Sequence, residues 1–342
     1  MLIDLSKESD TNRIPSNEFE TKVLDFIKEW NSDTKTVKVQ TSGSTGIPKI
    51  FNIEKSKMMN SADMTCDFLG LKKGDQALLC LPVEYISGKM MVVRSISRQL
   101  KLKIVEPSTN PLENLEEEVD FCAMTPLQVE NSLEQLHLLK NLIIGGATVS
   151  ETLKSKISQT LKSSDYRIRI FETYGMSETL SHIALKEIYP KQQEWFNVFE
   201  GIDISADERG CLKIFAPKLN PELLQTNDLV EINGNKQFRF LGRVDNVINS
   251  GGAKIFPEEL ERLVKQKITN ESVFLGIDDE KLGQKLLLII EGEESESLYQ
   301  KLSSVNYKFS FHKPKGIIFV EQIPRTPNGK VNRQELKKRI IN

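Results

Sequence analysis

The sequence predicts an α/β protein: a large N-terminal domain with mostly parallel sheets flanked by helices plus a small antiparallel subdomain, and a small α+β C-terminal domain. Three observations carry this. Apolar strand-like runs alternate with amphipathic helical segments from about residue 37 to residue 178, the pattern of a parallel sheet with helical crossovers. From about 197 the chain changes to short strands separated by turns, which reads as antiparallel pairing. The last hundred or so residues mix helix and strand, and 342 residues exceed what one hydrophobic core usually serves, so two domains are expected, 1–244 and 245–342.

Residues 1 to about 35 read as a lead-in with one helix, EFETKVLDFIKEW, in which Phe19, Val23, Phe26, Ile27 and Trp30 recur at helical spacing. VKVQ is a strand, and EKSKMMNSADMTCDFLGL a helix ended by Gly70. DQALLCLP is a buried strand stopped by Pro82, followed by the helix GKMMVVRSISRQL and the strand LKIVEP. VDFCAMTP, QVENSLEQLHLLK and NLIIGGA continue as strand, helix and strand; ETLKSKISQTLK is helical and RIRIFETYGMSE begins as a strand. Sheets of this kind hold ligands at the carboxyl ends of their strands. Gly145 and Gly146 follow one strand there, and Glu172 to Glu178 the next. GIDISADERGCLKIFAP and DLVEINGNKQFRFLG supply the antiparallel part; beyond them come the helix PEELERLVKQKI and the strands SVFLGID and KLLLIIEG.

Composition excludes several partners. Hydrophobic residues at 39% and charged residues at 27% describe an ordinary globular chain, and a net charge of -2 leaves no basic excess for a nucleic-acid backbone. Cys66, Cys80, Cys122 and Cys211 lie far apart with no C-x-x-C pair, so they read as small buried apolar residues in a reducing compartment. The N-terminus lacks a basic segment with an apolar stretch behind it, and the longest apolar run, LLLII, is far too short to cross a bilayer. A cytoplasmic location is expected.

Thr41 to Lys49, TSGSTGIPK, has a composition suited to holding phosphate. Gly43 and Gly46 let the backbone approach a ligand with its N–H groups turned inward. Ser42, Ser44 and Thr45 add hydroxyl donors, and Lys49 a positive charge. It is not a Walker A loop, because G-x-x-x-x-G-K-[ST] is absent, and a Ser/Gly-rich surface turn is the alternative reading. In ETYGMSE, Tyr174 could stack on a base, Ser177 bond a phosphate oxygen and Glu178 hold magnesium between phosphates. Asp228 could bond both ribose hydroxyls, although lone aspartates between strands are usually turn residues. Arg243 and Asp245 precede Gly251, Gly252 and Lys254 and then a helix start with Pro257 near its first position. Lys330 lies on the Pro/Gly turn of PRTPNGKVNR.

Taken together and in this order, these motifs resemble the adenylate-forming superfamily of acyl-CoA synthetases, peptide-synthetase adenylation domains and luciferases. The resemblance runs from Thr41 to about Arg333. It implies a C-terminal domain mobile on a hinge, ATP and CoA as co-substrates, Mg2+ as cofactor, and a reaction in two steps through an acyl-adenylate. By the same resemblance, Thr41 to Lys49 would clamp the β- and γ-phosphates; Gly145, Gly146, Ala147 and Tyr174 would line the adenine, with Gly175 beside them. Ser177 and Glu178 would take the α-phosphate and magnesium, Asp228 the ribose with help from Arg243, and Asp245 would be the hinge. Lys330 would stabilise charge developing in the first transition state, and Gly251, Gly252 and Lys254 would face the site when CoA arrives.

Three departures from that pattern stand out. The phosphate loop comes within 41 residues, where relatives carry a long N-terminal subdomain first, so a homodimer or partner subunit could cover the exposed face. Ser177 replaces the commoner threonine, and Asn227 the usual glycine before Asp228. Tyr85 occupies the place of a histidine guarding the acyl pocket.

The compact length, YGMSETLSHIAL and INSGGAKIFPEELE are most similar to the o-succinylbenzoate:CoA ligases of menaquinone biosynthesis. Two alternatives stand beside that expectation: a stand-alone adenylation enzyme loading an aryl or amino acid on a carrier protein, and a non-catalytic nucleotide-binding module. Lys89, out of keeping with the apolar MMVV after it, is expected under the acyl pocket, facing the second carboxylate of the acid with Tyr85, Ser87, Arg94 and His182 nearby. The alternative is that its stem runs along the helix to solvent.

Overall fold

A computed structural model describes residues 1–7, 10, 12–40, 50–162, 167–234, 236–325 and 331–341. The chain opens on a strand, β1 (Leu2–Asp4), before helix α1 (Glu18–Asn31). Asn17 starts α1, its side chain accepting from the backbone of Glu20, and Phe19, Val23, Phe26, Ile27 and Trp30 form the buried face. β2 (Thr36–Gln40) and β3 (Ile50–Glu54) pair antiparallel, and α2 (Lys55–Leu69) ends on left-handed Gly70. Next come β4 (Gln76–Leu79), α3 (Ile86–Ser97), β5 (Lys101–Ile104), β6 (Val119–Met124), α4 (Pro126–Asn131), β7 (Leu139–Ile144), α5 (Glu151–Thr160) and β8 (Arg169–Gly175).

The expected helix over 128–140 is corrected to the short α4 and a 3-10 turn, Leu133–Leu138. Thr125 and Gln128 form a capping box with Pro126 at the first position, which starts the helix early. Ser132 then turns inward to bond Asn110 at 2.8 Å and breaks it.

The antiparallel strands are β9 (His182–Tyr189), β10 (Phe196–Val198), β11 (Asp203–Ala206), β12 (Cys211–Ala216), β13 (Asn220–Asn233) and β14 (Gln237–Arg243). They continue the parallel strands in one twelve-stranded sheet of order β1-β5-β4-β6-β7-β8-β9-β10-β14-β13-β12-β11. β5, β4, β6, β7 and β8 run parallel; β1 closes one edge antiparallel to β5, and β8 to β9 is where parallel pairing gives way. The remaining elements are β15 (Ile248–Ser250), β16 (Ala253–Ile255), α6 (Pro257–Lys265), β17 (Ser272–Asp279), β18 (Gly283–Glu291), α7 (Glu296–Ser303), β19 (Gly316–Val320) and α8 (Arg333–Ile341). Their five strands make a second sheet, with β19 parallel to β18.

Burial explains why β4 reads as an unbroken apolar run. Ala77 and Leu79 pack on the side of α1, α2 and α3, while Leu78 and Cys80 pack on the side of α4 and α5, so both faces are covered. All four cysteines are free and buried. Among the described residues no helix is long and apolar enough to cross a membrane.

Candidate functional site

The carboxyl ends of β7 and β8 bring the predicted nucleotide residues side by side. Gly145 donates its N–H to Met124 at 3.1 Å, and a Cβ there would lie 2.9 Å from Thr173 Oγ1. Gly146, at φ +86°, and Ala147 are exposed. Glu172 anchors this loop by accepting from the Val149 N–H at 3.1 Å, and its other oxygen pairs with Lys186 at 2.8 Å.

Tyr174 is the centre of the cluster. Its ring packs edge-on against Phe238, with centroids 4.8 Å apart, and its hydroxyl donates to Asp228 Oδ2 at 2.6 Å. Burial, reinforced by Asp228, pushes the phenol well above its ordinary range. Asp228 and Arg243 are register partners of β13 and β14 and bond at 3.2 Å. Arg243 reaches on to Asp245 at 2.9 Å, and Asn227 donates to the two oxygens of Asp245 at 3.3 and 3.2 Å. Arg209 in turn holds the Asn227 carbonyl at 3.1 Å. The structure thus joins Tyr174, Asp228, Arg243 and Asp245 in one set of contacts. Asn227, read from sequence only as a substitution for glycine, is tied directly to Asp245, and no sequence signal marks that contact.

Ser177 and Glu178 sit exposed in a 3-10 turn after β8. Thr179 fixes the turn from inside, accepting from the Met176 N–H at 3.1 Å and donating to the Ser181 carbonyl at 2.8 Å. Gly175 is required there: a Cβ would fall 2.4 Å from both Ser181 O and His182 Cα. Glu178 has no ion-pair partner among the described residues, where no cluster of three potential metal ligands occurs either.

Helix α3 divides the expected acyl residues. Tyr85 caps its start, exposed, and forms an isolated bridge with Gln40; Ser87 is exposed as well. Lys89 is buried, with Nζ 4.1 Å over the Phe26 ring of α1, and burial lowers its pKa. Its ammonium thus rests on an aromatic ring of α1 and does not run out along the helix to solvent. Arg94, five residues on and so about 140° around the helix, faces the turn after Glu178 instead. There Arg94 Nη2 bonds Ser181 Oγ at 3.0 Å, and His182 lies between Thr65 Oγ1 at 3.0 Å and Ser181 Oγ at 3.4 Å. Burial, with Arg94 adding to it, drives His182 far below its usual pKa.

Gly251 and Gly252, at φ +58° and +82°, make the two-residue turn between β15 and β16, with Lys254 exposed beside it. α6 docks next to Asp245: Glu258 accepts from Asn246 at 2.6 Å, and a Cβ on Gly242 would lie 2.5 Å from Glu258 Oε2. Arg333 grips Glu261 of α6 through two bonds, at 2.8 and 2.7 Å. Thr41 to Lys49 and Lys330 lie outside the described residues; their flanks are paired, Gln40 with Ile50 and Arg325 with Val331.

A family model described as AMP-binding enzyme matches residues 3–198. The chain belongs to this family. A crystal structure of an acyl-CoA synthetase (AMP-forming)/AMP-acid ligase II-like protein from Dyadobacter fermentans is 35% identical, with a TM-score of 0.68 and 99% of each chain covered. The 2-succinylbenzoate–CoA ligase of Lactococcus lactis subsp. lactis is 24% identical over 98% of this chain and 78% of its own length. The o-succinylbenzoate CoA synthetase of Bacillus subtilis, in complex with its acyl-adenylate intermediate, is 20% identical with a TM-score of 0.72, covering 88% of this chain and 68% of that one, and shares the fold. Around Tyr174 the structure gathers aromatic rings and the Asp228 carboxylate of β13.

Proposed function

We propose that this AMP-binding enzyme is an ATP-dependent acid:CoA ligase whose acid is o-succinylbenzoate. The observation that carries the reading is the Tyr174–Asp228–Arg243–Asp245 set of contacts, which joins the carboxylate we assign to ribose to the residue we assign as hinge; the names of the curated relatives supply the acid. In the first step a carboxylate oxygen of the acid attacks the α-phosphorus of ATP, the new C–O–P linkage forms, and pyrophosphate leaves. In the second, the CoA sulfur attacks the acyl carbonyl, AMP leaves and the thiol proton is lost.

Asp228 uses two of its roughly four acceptor positions on Tyr174 and Arg243, which leaves two for ribose hydroxyls. Ser177 donates to an α-phosphate oxygen. Glu178, exposed and unpaired among the described residues, suits magnesium, which takes one or two carboxylates together with phosphate oxygens. An ion held there would neutralise phosphate charge. Thr41 to Lys49 would hold the outer phosphates and Lys330 the charge developing as pyrophosphate leaves. The parts 1–244 and 245–342 are read as domains turning on Asp245, so that Gly251, Gly252 and Lys254 meet CoA in the second step. The reading includes a cytoplasmic location and a homodimer over the face that exposes Ile50 and Phe51.

The test is AMP formation with ATP, magnesium, CoA and a panel of carboxylic acids. Saturable AMP and thioester formation with o-succinylbenzoate is expected. A requirement for a carrier protein in place of CoA, or activation confined to amino acids, sinks the proposal.

A further inference from the structure

Six residues, Met176 to Ser181, carry the chain from β8 to β9, whose facing ends are the register partners Gly175 and His182. Ser177 and Glu178 are exposed, whereas the two residues after them are buried, Thr179 at 0% and Leu180 at 7% exposure. The backbone here is uncommon. Thr179 and Leu180 donate to the Met176 and Ser177 carbonyls at 3.2 and 3.0 Å, as a 3-10 turn requires, but Ser181 then donates back to the Thr179 carbonyl at 2.7 Å across a single residue. That residue, Leu180, has φ +67° and ψ −46°. A three-residue turn of this hand is rare and strained, and a leucine keeps it only where its surroundings leave the chain no other course.

Thr179 supplies that constraint. Its hydroxyl accepts from the Met176 N–H at 3.1 Å and has the Ser181 and Met176 carbonyls, at 2.8 and 3.0 Å, to receive its proton, so one buried oxygen joins both ends of the turn. Asn220 of β13 holds the outer side, donating to the Glu178 carbonyl at 3.2 Å, and the Leu180 side chain is anchored in the main core. None of these contacts uses the side chain of Ser177 or Glu178. The backbone beneath those two groups is fixed from within, and their polar atoms stay exposed.

We propose that Thr179 is a positioning residue for the first half-reaction: through the strained turn it closes, it fixes the directions from which Ser177 meets the α-phosphate and Glu178 the magnesium ion. The proposal rests on the acid:CoA ligase reading above and adds to it a buried hydroxyl that itself touches neither ATP nor the acid. Groups set in place before a ligand arrives need no ordering when it binds.

The experiment compares wild type with Thr179→Val, which keeps the branched shape and loses the hydroxyl, and Thr179→Ser, which keeps the hydroxyl. Each is assayed for exchange of pyrophosphate into ATP with o-succinylbenzoate and, separately, for thioester formation from supplied o-succinylbenzoyl-adenylate and CoA. Calorimetry gives the affinity for ATP with and without magnesium. Thr179→Val is expected to lower kcat for exchange about 100-fold, the loss that follows a misplacement of about 1 Å. Thioester formation should stay nearly unchanged, and most of the tightening of ATP by magnesium should be lost. Thr179→Ser should match wild type in all three. Equal losses in the two half-reactions, with magnesium still tightening ATP as in wild type, would mean that Thr179 only holds the hairpin together, which overturns the proposal. Should Thr179→Val fail to fold, Leu180 carries the test. Leu180→Gly and Leu180→Ala both remove the buried branch, but glycine takes a positive φ freely, so the glycine variant should melt above the alanine one and, with the turn released, show the same selective loss of exchange. An alanine variant that melts at or above the glycine one, or a glycine variant whose half-reactions fall together, overturns the proposal equally. A wild type that activates no acid removes the functional reading and this proposal together; an active wild type whose Thr179→Val variant keeps both half-reactions removes the Thr179 assignment alone.

Discussion

His182 shows at the scale of one residue how the fold resets chemistry. In solution an imidazole takes a proton below about pH 6.5; here burial, with Arg94 adding to it, keeps it neutral far below that value. The unfolded chain therefore binds the extra proton first. Stability contributed by the neutral form is present above about pH 6.5 and is lost as pH falls below it, by up to about 1.4 kcal/mol per pH unit until the folded-state value is reached. His182→Gln retains an amide able to meet Thr65 and does not titrate, so its urea midpoint should depend less on pH between about 7 and 5. Identical slopes in the two proteins would show that the unfolded state gains no proton there. Asn227 is the other instructive residue: its amide binds both oxygens of Asp245.

Among the elements, α3 depends on a glycine that no motif singles out. A Cβ at Gly88 would lie 2.3 Å from the carbonyl oxygen of Pro82 and 2.7 Å from that of Leu81, both backbone atoms unable to swing aside. The first turn of α3 is thus pressed onto the end of the β4 segment, which fixes where Tyr85 and the helix behind it sit. Gly88→Ala should destabilise the protein by about 1–3 kcal/mol, the usual cost of overpacking. Equilibrium urea unfolding checks this, and an unchanged midpoint would mean the turn relaxes freely. The β8 to β9 crossing relies on the same kind of contact at Gly175, where the strand passes 2.4 Å from the would-be Cβ.

For the whole molecule, the decisive contacts are those that bind α6 to the end of β14. Asn246 bonds Glu258, Gly242 admits the same carboxylate, and Arg333 ties the last helix to α6 through Glu261. A proposed hinge at Asp245 lies inside this cluster, held by Arg243 and Asn227. Proline at that position fixes φ near about −65° and removes the freedom that domain rotation needs. Asp245→Pro is expected to keep acid-dependent exchange of pyrophosphate into ATP while thioester formation with CoA fails. Thioester formation at the wild-type rate would move the hinge to another residue.

Local patterns determined much of this protein. Strand and helix alternation, the Gly70 stop, the hydroxyl- and glycine-rich composition of Thr41 to Lys49 and the order of the motifs are properties of neighbouring residues, and they led to an α/β AMP-binding enzyme without any contact being known. What tertiary structure decided was which distant residues meet. β1 and β9 were not legible: a three-residue strand is too short for a period, and HIALKEIY, buried nearly throughout, has no polar alternation. The helix expected over 128–140 broke at Ser132 because its hydroxyl bonds Asn110, 22 residues away. Lys89 and Arg94 look interchangeable as cations on one helix. Only the packing of α3 between α1 and the turn after Glu178 sends one onto an aromatic ring and the other, buried, against Ser181.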